Sequence, residues 1–130
     1  MSLNVCVITP DRVVWDANAD EIILPSSTGQ LGILSDHAPL LTALDIGVMR
    51  LKTDGNWMSI VLMEGFAEVE NNKVTILCNG AEEGSSIDRT SAESELEKVT
   101  LLVDEAGTKK EKIEASIELR KAKARLQAVA

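Results

Sequence analysis

The sequence predicts a β-sandwich of about ten strands, built as a flattened antiparallel barrel and followed by a C-terminal antiparallel α-helical hairpin. Three observations predict it. Short β-rich runs recur from residue 3 to about residue 80, with turn signals between them. No long helical pattern interrupts these runs, which argues against parallel βαβ units. From residue 88 apolar side chains fall at helical spacing instead, with no proline. The chain thus divides into a sandwich, residues 1–86, and a hairpin, residues 87–130.

The β-rich runs read, in order, "LNVCVIT", "RVVWDA", "DEIILPS", "GQLGIL", "PLLTAL", "GVMRLK", "WMSIVLM", "GFAEVE" and "KVTILC". Asp54-Gly55 suits a two-residue hairpin turn, because glycine accepts positive φ without steric cost. Asn71-Asn72 predicts a second such hairpin. In "KVTILC", Val74, Ile76 and Cys78 share one face, and Thr75 and Leu77 share the other. The only aromatic residues are Trp15, Trp57 and Phe66, so the core must be aliphatic.

The helical segment has clear punctuation. Ala92, Leu96, Val99, Val103 and Ala106 line one face of a first helix. Two caps compete for its start: Asp88, and Thr90 with Glu93 in a capping-box pattern. Gly107 is placed to end it, and Thr108 with Glu111 opens a second helix. There Ala115, Leu119, Ala122, Leu126 and Val129 form a stripe, broadened by Ile113 and Ile117. A tight turn between two such helices makes them antiparallel. The apolar faces are narrow and rich in alanine, which predicts a weakly held hairpin able to populate more than one arrangement.

Charge is unevenly spread. The net charge is −8, which disfavours nucleic acid as a partner. Residues 1–87 and 88–107 are both net acidic, whereas residues 108–130 carry seven basic and three acidic side chains. The basic second helix can pair with the acidic first one as a solvated face, or with an anionic partner.

Constellations for chemistry are missing. The one histidine, His37 in "LSDHAPLL", reads as a loop residue before Pro39. No nucleophile elbow, no metal-ligand spacing and no phosphate loop accompany it. No metal or cofactor is expected, and the scarcity of aromatics and paired acids argues against a sandwich lectin or hydrolase. The first residues read as a strand rather than a signal peptide, and Cys6 and Cys78 as reduced strand thiols.

Taken together, "TPDRVVWDA", "EIILPSSTGQLGILSDHAPLLTALDIGVMRL", "GFAEVENNKVTIL" and "IEASIELRKAKARLQ" resemble the epsilon subunit of the F-type proton-translocating ATP synthase, in its cyanobacterial and chloroplast branch. The likeness covers essentially the whole chain. One departure is Ser35, where the family usually has proline. The resemblance implies a ten-stranded sandwich, a helical hairpin and no active site. It implies a central-stalk subunit that couples rotation to ATP synthesis and restrains hydrolysis through its C-terminal helices. The implied partners are the gamma subunit and the membrane rotor ring for the sandwich, and the alpha/beta catalytic head for extended helices. The implied location is the cytoplasmic or stromal face of the energy-coupling membrane, here the thylakoid.

Individual residues follow from the same resemblance. Gln30 matches the ring-facing loop and His37 a position near gamma. Arg120, Lys121, Lys123 and Arg125 match the inhibitory basic face. Some relatives bind ATP at a hairpin motif, [Ile/Leu]-Asp-x-x-Arg-Ala. Here Ile87, Asp88 and Ala92 match, with Lys121 and Arg125 retained on the second helix, but Ser91 stands in the arginine position. Arg89 lies two residues early, about 200° around the helix. Serine offers no forked, charged donor to a phosphate, so a nucleotide-sensing module is the weaker alternative and ATP binding is expected to be very weak or absent.

Overall fold

The computed structural model describes residues 2–130. Eight strands form the first part: β1 (Leu3–Ile8), β2 (Val13–Ala19), β3 (Glu21–Ser26), β4 (Gly29–Leu34), β5 (Leu40–Thr53), β6 (Asn56–Glu70), β7 (Lys73–Cys78) and β8 (Ala81–Glu83). A single 3-10 turn, Gly84–Ser86, leads to α1 (Arg89–Glu105) and α2 (Lys109–Val129).

The sandwich-plus-hairpin architecture agrees with the expectation, but the strands are fewer and longer. "PLLTAL" and "GVMRLK" are one strand, β5, and "WMSIVLM" and "GFAEVE" are another, β6. One sheet runs β2-β1-β7-β6-β5-β3-β4, and β8 also pairs with β6. The β5–β6 register is constant from Leu40↔Val69 to Thr53↔Asn56, with the ladder lapsing at Asp45 and Glu64. β7 and β8 both pair with β6 and are interrupted at Asn79-Gly80, beside Glu64. Asp45, Glu64 and Asn79 therefore mark a crease across three strands, and Glu64 turns there with φ 74°. The sheet folds at the crease, so long strands serve both layers.

A second difference concerns strand direction. β1 pairs with β7 in parallel, Val5 beside Val74, whereas every other pairing is antiparallel. Their connection is almost the whole sandwich, which is long enough for a parallel return.

Both two-residue hairpins form as the turn residues dictate. Asp54 and Gly55 have φ of 50° and 81°, and Asn71 and Asn72 have 49° and 63°. Positive φ at both central residues matches the right-handed twist of the flanking strands.

Between the folded halves lies one aliphatic core. Val5 and Val7 of β1 and Ile76 of β7 meet Ile22 of β3, Met49 of β5 and Ile60 of β6, all fully buried. Each such side chain contributes about 1.5–3 kcal/mol by leaving water.

The opposite faces of β5 and β6 differ in cover. Beyond the crease, Val48, Val61 and Met63 point away from the core and are buried against Ala124, with Ala128, Ile46 and Ile87 beside them. There α2 lies on the sheet. α1 packs on α2, burying Ala92 and Val99 and half-burying Leu96, Val103 and Ala106, the stripe that periodicity identifies.

Candidate functional site: the hairpin hinge, the α2 cleft and the bare sheet face

The hinge is resolved in favour of Asp88. Its carboxylate accepts from the Ser91 backbone N–H at 2.9 Å and from the Ser91 hydroxyl at 2.8 Å, capping α1. These two bonds hold the Asp88 carboxyl below the usual carboxylate range, the backbone N–H having the larger effect. Ile87 anchors the hinge by packing with Val48 and Val61. At the hairpin turn, Thr108 accepts from the Glu111 N–H, and the Glu111 carboxylate accepts from the Gly107 N–H, both at 3.1 Å. Gly107 is not in the left-handed region; α1 ends at an extended Ala106.

The ATP-type motif is only partly assembled. Ile87 is half-buried, Ala92 is buried, and Asp88 is committed to its cap. Ser91 is bonded to Asp88, and Arg89 pairs with Glu93 at 3.3 Å in solvent.

The four basic residues of α2 fall on two faces. Arg120 and Lys123 are exposed. Lys121 and Arg125, one turn apart, are half-buried over a cleft of about 300 Å³ shared with Thr9, Asp11, Arg12 and Glu82. Arg125 binds Glu82 twice over: Nη2 is 3.0 Å from Oε2, and Nε donates to the same oxygen at 3.1 Å. Arg12 donates to the Ala81 carbonyl at 3.5 Å, and Lys121 pairs with Glu118 on its own helix at 3.5 Å. The Thr9 hydroxyl donates to Asp11 at 2.7 Å and, as the largest of several causes, keeps its carboxyl below the ordinary range. Glu82 was not foreseen. The sequence signal was there, an acid just ahead of the hinge, but its partner lies 43 residues on.

Gln30 and His37 lie at opposite ends of β4. Gln30 is exposed in the β3–β4 hairpin, paired with Pro25. His37 follows the strand, with Nδ1 2.7 Å from the Ala38 carbonyl oxygen, beside Asp36 and Asn72. The structure therefore does not bring these two residues together.

A third surface escaped sequence reading. On the outer face of the half-sheet that α2 does not cover, Ala43, Phe66, Leu77, Ile8 and Val13 stand in one register row across β5, β6, β7, β1 and β2. Phe66 is 58 % exposed, Leu77 54 % and Val13 56 %, and nearby Leu41 is 71 % exposed. A groove of about 540 Å³ runs along this row toward the crease. A contiguous apolar strip of this kind is a candidate interaction surface.

Cys6 and Cys78 are free thiols, and burial pushes both of their pKa values up. Among the described residues no His, Cys, Asp and Glu cluster is placed to hold a metal ion, and no helix is long and apolar enough to cross a membrane.

Fold and surfaces together define a two-part module: a creased β-sandwich that leaves one apolar face bare, carrying a helical hairpin clipped over the other. Its family is clear. Residues 2–84 match the beta-sandwich domain of the ATP synthase delta/epsilon chain. The chain is 85 % identical over its full length, and that of its relative, to the chloroplastic ATP synthase epsilon chain of Emiliania huxleyi. It is 65 % identical to that of Guillardia theta, over 99 % of this chain and 98 % of the relative. It is 56 % identical to the epsilon chain of the cyanobacterium Thermosynechococcus vestitus, over 98 % of this chain and 95 % of that one. The chain belongs to the ATP synthase epsilon chain family. The same fold occurs at 19 % identity and a TM-score of 0.86 in a chain of the Euglena gracilis mitochondrial ATP synthase, matching 99 % of this chain and 82 % of that one.

Proposed function

We propose that this chain is a non-catalytic central-stalk subunit of a chloroplast-type ATP synthase, which couples rotation to ATP synthesis and restrains ATP hydrolysis through α1 and α2. The bare apolar row at Phe66 and Leu77 is the observation that carries the reading. A sandwich that buries one outer face under its own helix and leaves the other apolar face open is built to be seated on a partner. Membership of the family supports the gamma subunit as that partner. Gln30, in the exposed β3–β4 hairpin, faces the rotor ring, and His37 lies toward gamma. The complex sits on the stromal face of the thylakoid membrane.

The hairpin supplies the restraint. Its contact with the sheet is made by Ala124 and Ala128 of α2, Ile87 at the hinge and one ion pair, so little apolar area holds it. Detached, α2 presents Arg120, Lys121, Lys123 and Arg125 to acidic parts of the alpha/beta head, in contacts sensitive to salt. Nucleotide sensing is the weaker reading, because Asp88 and Ser91 satisfy each other and no arginine stands at position 91.

Reconstitution with the catalytic head and gamma tests this. The full chain and a version ending at Ser86 should both bind, and only the full chain should lower the ATPase rate. If both bind and neither changes hydrolysis, the inhibitory role fails and coupling alone remains.

A further inference from the structure

α2 meets the sandwich through a small apolar contact, Ala124 and Ala128 with Val48, Val61 and Met63, to which Ile87 at the hinge adds one larger side chain. Alanine buries little surface, so this contact is weak and not directional. Among the described residues one side-chain ion pair joins the two parts: Arg125 to Glu82, 3.0 Å apart. The paired side chains are 29 % and 36 % exposed, so solvent screens them only partly.

Position matters as much as distance. Glu82 sits on β8 directly opposite Val61, the buried side chain of β6 on which Ala124 rests. Apolar contact and ion pair thus close on one rung of the sheet. Around Glu82 the cleft gathers three cations, Arg12, Lys121 and Arg125, against one other acid, Asp11. Asp11 is already bonded to Thr9, and Lys121 leans on Glu118. Without the Glu82 charge, Arg125 and Lys121 of α2 would face Arg12 of the sandwich across the cleft, and repulsion would loosen the helix.

We infer that Glu82 is an internal clasp: it occupies Arg125 as a partner carboxylate would, and it holds the hairpin on the sandwich until an outside acidic surface competes for the same guanidinium. Arg125 turns its Nε–Nη2 edge to Glu82, so an external carboxylate that takes this edge must displace Glu82. Docking onto the sandwich and engagement of an acidic partner through this edge therefore compete, and no nucleotide is needed to arbitrate between them. The clasp rests on the detachable hairpin proposed above but not on its inhibitory effect.

Hydrogen exchange on the full chain tests it, comparing wild type, Glu82→Gln and the swapped pair Glu82→Arg with Arg125→Glu. At low ionic strength, Glu82→Gln should speed exchange of the α2 amides about 3- to 10-fold, with β1 and β7 amides unchanged. The swapped pair should return α2 to within about twofold of wild type, since it restores the pair with reversed sign. Added salt should speed wild-type α2 exchange and narrow the gap to Glu82→Gln. Unchanged α2 exchange in Glu82→Gln, equal acceleration in β1 and β7, or failure of the swap to restore protection each overturns the clasp. A parallel ATPase assay with Glu82→Gln in the reconstituted head separates the two ideas. Faster α2 exchange without stronger restraint of hydrolysis keeps the clasp and overturns the inhibitory reading.

Discussion

Gly65 and Leu77 approach so closely that a Cβ on Gly65 would run into the Leu77 carbonyl oxygen and stand 2.7 Å from the Cys78 Cα. Gly65 sits beside the crease, paired with both Leu44 and Cys78. The obstacles are backbone atoms of β7, so no side chain can swing aside. Gly65→Ala should destabilise the chain by about 3 kcal/mol or more, read as a lower urea midpoint. Gly32→Ala is the control: nothing lies within 4 Å of its Cβ position, and the midpoint should barely move.

The loop holding His37 gives a prediction of the opposite sign. The His37 N–H donates to the Leu34 carbonyl at 3.3 Å, and Asp36 between them has φ 64°. That is a type II turn with Ser35 at its second position, where proline is favoured. The Ser35 hydroxyl is buried and has no hydrogen-bond partner. Leu34, before it, is extended, as a residue preceding proline must be. Ser35→Pro should therefore stabilise the chain by about 0.4–1 kcal/mol, checked by thermal unfolding. A loss of stability would show that the serine N–H or hydroxyl is needed.

Much of the fold was legible because its signals are local. The Asn71-Asn72 and Asp54-Gly55 turns, the alternation in β7 and the 4-3-4-3 stripe of α1 each depend on residues within one element. What escaped was long-range. "PLLTALDIGVMRLK" reads as two strands because Asp45 and Gly47 interrupt the β pattern. In three dimensions Asp45 is a lapse in one continuous strand, and Gly47 admits Pro25 of β3, whose Cβ lies 2.7 Å from where a Gly47 Cβ would stand. Only the neighbouring strand distinguishes a crease from a turn. The parallel β1–β7 pairing is hidden for the same reason.

The hinge makes a pH prediction. Asp88 is held below its ordinary pKa by Ser91, so its capping contribution is fully present above the unfolded value of about 3.9 and is lost as pH falls through the lower folded value. Below about pH 4, protection of the first-turn amides of α1 should fall before that of the sandwich core. Asp88→Ala should show the reduced protection at pH 7 and remove this pH dependence. The same pairing bears on ATP. With Asp88 and Ser91 bonded to each other and Arg89 turned to Glu93, calorimetry on the isolated chain should detect no micromolar ATP affinity.

The surfaces were less legible than the fold. The hairpin motif is contiguous, so Ile87, Asp88 and Ala92 stood out at once. The basic residues of α2 read as one face, yet a helix has every side: Lys121 and Arg125 turn to the cleft while Arg120 and Lys123 stay in water. Which side is covered depends on where the sandwich lies. Glu82 and the Phe66 row needed the strand register, since Ala43, Phe66, Leu77, Ile8 and Val13 are scattered through seventy residues of chain.

That row yields the last prediction. Phe66 projects outward, flanked by Ala43 and Leu77, while its neighbour Ala67 points into the core. Phe66→Glu therefore places a charge in solvent when the chain is alone, and the urea midpoint should change by less than about 0.5 kcal/mol equivalent. Seated on gamma, the same charge would be buried without a partner amid apolar contacts. An aromatic at the centre of an interface commonly contributes 2 kcal/mol or more, so affinity for gamma should drop by about 30-fold or more in surface plasmon resonance. Arg120→Glu, on the exposed face of α2, should leave that affinity unchanged because the hairpin covers the other side of the sheet. If Phe66→Glu binds gamma like wild type, the bare strip is not the seat, and the coupling surface must be sought at the loops around Gln30 and His37.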